Sequence, residues 1–151
     1  MAELPTAYVA VVGAGADVAP AVLAGAETVG ALLARRGAVV VTGGLGGVME
    51  AACRGARMVG GTTLGLLPGE DRAAANRWVS VAVATGMGEL RNGLVVRASE
   101  AVIAVAGEYG TLSEIALALK LGRRVVGLGT WEIDGVQRAA DPAAAVKLAL
   151  G

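Results

Sequence analysis

AVIAVAGEYGTLSEIALALK, residues 101–120, joins an apolar run to an apolar helix through glycine. Its first six residues are Ala, Val and Ile, as suits a strand buried on both faces. Gly107, Glu108, Tyr109, Gly110 and Thr111 follow, and then the helix. A strand that feeds a helix through a tight glycine turn aims backbone N–H groups at whatever lies above the helix start, which is a seat for phosphate or carboxylate. Thr111-Leu112-Ser113-Glu114 also fits a capping box, with Thr111 accepting from the helix backbone and Glu114 reaching back. From these residues alone, the capping role of Glu114 ranks ahead of a catalytic one.

Working outward, the strand–glycine–helix pattern repeats. Residues 7–14 read as a first strand, followed by Gly13-Ala14-Gly15, a partial dinucleotide fingerprint whose third glycine is replaced by Val18. Pro20 suits the first turn of a helix that ends at Arg35-Arg36-Gly37. A second strand, residues 38–41, runs into Gly43, Gly44, Gly46 and Gly47 and then a helix. Four glycines in five positions exceed what a turn needs, so they read as a backbone cradle for an anion. Residues 61–67 and 79–84 give two more strands, and the latter leads through Gly86 and Gly88 into a helix over about 89–98. Arg91 and Asn92 fall in its first turns; taken alone, Arg91 is a solvated arginine. Residues 124–128 make a sixth strand, and Asp141-Pro142 opens a last helix with a cap and a proline at its first position.

Alternation of this kind over residues 1–151, without a linker or repeat, predicts one domain: a Rossmann-like three-layer α/β/α fold with about six mainly parallel strands. Ligands of such sheets bind beyond the carboxyl ends of the strands. The loops at Gly13, at 43–47, at 86–92 and at 107–111 all follow strands and converge on that edge.

Composition removes several function classes. Thirteen basic residues balance thirteen acidic ones, so bulk charge favours neither nucleic acid nor an anionic membrane. The longest charge-free runs, residues 4–16 and 37–49, are 13 residues each, short of the roughly 18 that a span needs. The chain starts without a basic segment or cleavage site, and Cys53 is alone, which together predict a cytoplasmic protein with a buried, inert thiol. No histidine exists for a triad or a metal site, and no metal or cofactor is expected. The only lysines, Lys120 and Lys147, lie outside the glycine turns, so neither suits a pyridoxal Schiff base.

Together, Gly43-Gly44-Leu45-Gly46-Gly47-Val48-Met49, Arg91-Asn92 and residues 107–114 resemble the LOG (Lonely Guy) family, once labelled as lysine decarboxylases. The resemblance is closest to a short-chain branch that includes the molybdenum-cofactor carrier proteins. It implies a Rossmann-like fold, a homodimer or higher assembly, and cleavage of nucleoside 5′-monophosphates to free base and ribose 5-phosphate. By this resemblance Arg91 and Glu114 are the catalytic pair. With the glycine turns read above, it leads to the expectation that Gly13, Gly43, Gly44, Gly46, Gly47, Asn92, Gly107, Glu108, Tyr109, Gly110 and Thr111 bind the phosphate or nucleotide. Three positions depart from the family signatures PGGxGTxxE and Arg-Lys: Ala106 stands for the proline, Glu108 for the second glycine and Asn92 for the lysine. Glu108 adds a negative charge where the family seats a phosphate, and Asn92 removes a positive one. Two readings therefore stand open. One is a phosphoribohydrolase; the other is a carrier that binds a phosphorylated pterin or nucleotide without turnover. Neither is a lysine decarboxylase.

Overall fold

The computed structural model describes residues 7–151; the expected domain's first six residues lie outside them. Among the described residues seven strands form one sheet in the order β4-β3-β2-β1-β5-β6-β7, and every neighbouring pair is parallel. In chain order the elements are β1 (Tyr8–Gly13), α1 (Pro20–Arg35), β2 (Val39–Thr42), α2 (Val48–Met58), β3 (Thr63–Leu67), β4 (Val81–Ala84), α3 (Arg91–Arg97), β5 (Ala101–Val105), α4 (Tyr109–Lys120), β6 (Arg124–Leu128), β7 (Val136–Arg138) and α5 (Pro142–Leu150). The architecture is the expected three-layer α/β/α, with one strand more than the sequence suggests. β7 is only three residues, Val-Gln-Arg, and lacks an apolar run; its pairing with β6, from Val125 opposite Val136, defines it.

Strand pleating builds the two outer layers. Val9 and Val11 of β1, with Ala101, Ile103 and Val105 of β5, face α1, α2 and α5. The alternate residues Ala10, Val12, Val102 and Ala104 face α3 and α4, where Val95, Val96, Ile115 and Ala118 complete a second core. Small residues bring α1 and α2 together. A methyl group on Gly30 would lie 2.0 Å from the Ala52 carbonyl oxygen, and one on Gly55 would lie 1.9 Å from that of Glu27. Glu27 and Arg54 pair across the same contact at 3.0 Å.

The sheet order reverses at β1, which has β2 on one side and β5 on the other. Helix α1 leaves β1 toward one face while α4 leaves β5 toward the other, so the loops above these strands part. In doubly wound sheets this is where a ligand crevice forms.

Helix starts follow local chemistry, with one correction. Asp141 caps α5, accepting from the Ala144 N–H at 2.8 Å, with Pro142 in the first turn. The capping box expected at residues 111–114 does not form. Helix α4 begins three residues earlier than that box requires, at Tyr109, with Glu108 at the cap position making no side-chain bond. Thr111 is thereby inside the first turn and buried, beyond the place where a cap acts. The helix expected over 89–98 also divides: a short 3-10 turn, Gly88–Leu90, feeds α3. No helix among the described residues is long and apolar enough to cross a membrane.

Candidate functional site

A cleft of about 530 Å³ opens at the switch in strand order. Its walls are the loop after β1 (Gly13, Gly15, Asp17), the loop after β2 (Gly43, Leu45) with Met49 of α2, and the segment before α3 (Gly88, Glu89). Its far wall is the start of α4 (Glu108, Gly110, Thr111, Glu114). Three polar side chains lining it are buried: Arg91 is 8 % exposed, Thr111 3 % and Glu114 8 %. Asp17, Glu89 and Glu108 are exposed at the rim.

Arg91, at the first position of α3, is held against backbone. A methyl group on Gly43 would fall 2.6 Å from the Arg91 Nη2 atom, so the guanidinium lies directly on a glycine surface. Its Nη1 donates to the neighbouring Asn92 Oδ1, and its Nε is buried with no partner. Burial lowers the Arg91 pKa, while the charge of Glu114 works the other way. Arginine has so high an intrinsic pKa that it stays cationic.

Glu114 sits on the second turn of α4, facing the cleft. Loss of solvent pushes its carboxyl from 4.5 up to about 7, against the opposing pull of Arg91. No hydrogen bond from the described residues reaches it. The floor of the cleft therefore carries a buried donor and a buried acceptor, each short of partners. Such groups favour a ligand that supplies them.

Sequence-derived candidates divide by where the fold puts them. Gly13, Gly43, Arg91, Asn92, Glu108, Gly110, Thr111 and Glu114 line the cleft together. Gly44, Gly46, Gly47, Gly107 and Tyr109 stand behind or beside it. Gly44, at φ +79°, packs on Leu67, and its N–H donates to Thr42 Oγ1 at 3.0 Å. Gly46 and Gly47 lie under the carbonyls of Gly15 and Ala14, closing the loop after β2 onto the loop after β1. Gly107, at φ +102°, lets Thr111 come within what would be 2.4 Å of a methyl group there. Tyr109 is exposed and stacks on Trp131, with ring centroids 6.1 Å apart.

Other contributors carried no local signal. Asp17 and Glu89 bring acid to the rim, Met49 and Leu45 bring apolar wall, and Asn76 ties the glycine loop down. The Asn76 amide donates to the Leu45 carbonyl at 2.9 Å, and its backbone N–H to that of Gly44, also at 2.9 Å. A larger cavity, about 730 Å³, lies beyond the end of β6 among α1, α5 and residues 129–132. Its charged groups are already engaged: Arg138 pairs with Glu132 at 2.9 Å, and Asp141 caps α5. Size favours that cavity, but the unpartnered polar groups are in the smaller cleft, which is the stronger candidate.

Comparison with known proteins agrees with this architecture. An uncharacterized protein from Archaeoglobus fulgidus is 48 % identical over 103 residues, 68 % of each chain. Among solved structures, the molybdenum cofactor binding protein of the phototrophic bacterium Rippkaea orientalis is 35 % identical, with a TM-score of 0.88 over 93 % of both chains. The molybdenum cofactor carrier protein of Chlamydomonas reinhardtii is also 35 % identical over 93 % of both, with a TM-score of 0.83. The SLOG cluster4 family model matches residues 6–149, nearly the whole chain and every element that lines the cleft, and the protein belongs to that family.

Proposed function

We propose that this chain is a carrier that binds a phosphorylated pterin, the molybdenum cofactor or a close relative, in the cleft at the strand-order switch, without turning it over. One observation carries the choice against a phosphoribohydrolase: among the described residues, the cleft sets a single arginine against Asp17, Glu89, Glu108 and Glu114. A nucleotide hydrolase must hold a phosphate dianion firmly while the glycosidic bond breaks. Here the residue that opens α4 is itself an anion, at the helix end where a phosphate would sit. Asn92 engages the guanidinium instead of adding a second cation. The resemblance to two proteins named for the molybdenum cofactor supports the same choice.

The reading includes a cytoplasmic protein working as a homodimer or higher assembly. Met87 and Leu90, exposed apolar residues beside the cleft wall, support that assembly. Sedimentation velocity tests it.

The carrier reading is tested by incubating the purified chain with molybdopterin and, separately, with AMP and other nucleoside monophosphates. Molybdopterin should co-elute with the protein, and no free base should appear. Base release above that of a heat-killed control would restore the hydrolase.

A further inference from the structure

We propose that Arg91 and Glu114 read the 2-amino-4-oxopyrimidine edge of the pterin, so that the ring enters the cleft first and the phosphate stays outside. This rests on the carrier reading above and concerns the direction in which the ligand lies.

The pterin edge presents one acceptor, the 4-oxo oxygen, followed by two donors, the ring N–H and the 2-amino group. Arginine can only donate, and an ionised carboxylate can only accept. Arg91 and Glu114, lining the same cleft, therefore offer the complement: a donor for the oxo group and a two-oxygen acceptor for the N–H pair. Both side chains are more than nine-tenths buried, Arg91 Nε has no partner, and no described residue donates to Glu114. A bidentate carboxylate contact in such a site gives both strength and geometric selection. Two ligand N–H donors also favour the ionised carboxylate over the protonated form that burial otherwise promotes.

Reversing the ligand is unfavourable. A phosphate pushed to the floor would pass Asp17, Glu89 and Glu108 and come to rest beside Glu114, with Arg91 as the one cation among the described residues that line the cleft. A phosphate left at the mouth is hydrated, and its repulsion from the exposed rim is screened by salt.

The test uses the full chain and intrinsic pteridine fluorescence near neutral pH. Pterin is compared with lumazine, in which an oxo group replaces the 2-amino group, and molybdopterin is titrated at low and moderate salt. Pterin should bind at least about tenfold tighter than lumazine, the worth of one lost hydrogen bond to a charged group. Glu114→Gln, checked for folding by circular dichroism, should shrink that ratio severalfold. Added salt should leave molybdopterin binding unchanged or tighter. Equal affinity for pterin and lumazine in the wild type, or displacement of pterin by inorganic phosphate, would overturn the orientation. Should molybdopterin bind with no such discrimination, only the orientation falls. Should neither pterin nor molybdopterin bind, the carrier reading falls with it.

Discussion

Replacing Glu114 by glutamine should make the unliganded protein more stable at alkaline pH, not less. The carboxyl is 8 % exposed, accepts no hydrogen bond from the described residues, and is held at about 7 by burial against an ordinary value of 4.5. An acid whose pKa is raised by folding stabilises the folded state below its unfolded pKa. That contribution is lost as pH rises through the folded value. At about 1.36 kcal/mol per tenfold change in proton affinity, the whole effect is about 3 kcal/mol, of which roughly 2.5 kcal/mol falls between pH 5 and pH 8. Glutamine keeps the shape but cannot ionise. Urea unfolding of wild type and Glu114→Gln at pH 5, 6, 7 and 8 measures the difference, because other titrating groups contribute equally to both. The variant should gain on the wild type by about 2.5 kcal/mol across that range, less any constant cost of burying the amide. A stability difference that does not change with pH would refute the reasoning and place the carboxylate in contact with solvent or a cation. A capping role would give another outcome, with little change at any pH, since an amide also serves in a capping box.

Further outcomes concern the cleft and its frame. Gly43→Ala should displace the Arg91 guanidinium, since the new methyl group would lie 2.6 Å from Nη2; pterin affinity should fall at least about tenfold, read by fluorescence quenching. Pterin binding itself should weaken as pH falls below about 7, where the Glu114 carboxyl of the free protein takes up a proton, and the loss should be absent in Glu114→Gln. Asp141→Ala should cost about 1 kcal/mol in urea unfolding through loss of the cap on Ala144 N–H, leaving pterin affinity unchanged because Asp141 lies outside the cleft.

Periodicity and punctuation made the architecture readable before any coordinates. The apolar run at 101–105, its counterpart at 8–12, and the glycines that follow each strand specify parallel strands with crossover helices. The handedness and connection rules of such units place the following loops on one edge. Asp141-Pro142 was equally legible, because a cap and a first-turn proline act within four residues. Short range is also where the reading failed. The Thr111–Glu114 spacing fits a capping box, yet α4 starts at Tyr109 because extended Glu108 already takes the cap position, with Thr111 buried in the first turn. The three residues of β7 gained strand geometry only from pairing with β6.

The sequence by itself determined the layer order and the sheet edge on which the glycine loops gather, while resemblance to a known family singles out Arg91 and Glu114, which the local pattern alone reads as a solvated arginine and a cap. Only the tertiary structure decided what that pair is like. Its burial comes from the loops after β1 and β2 closing over the starts of α3 and α4, residues tens of positions apart in the chain. The acidic rim likewise joins Asp17, Glu89 and Glu108 from three separate loops. Desolvation and local field depend on distance in space. A chain whose charges sum to zero can therefore fold into a cleft with four carboxylates and one arginine.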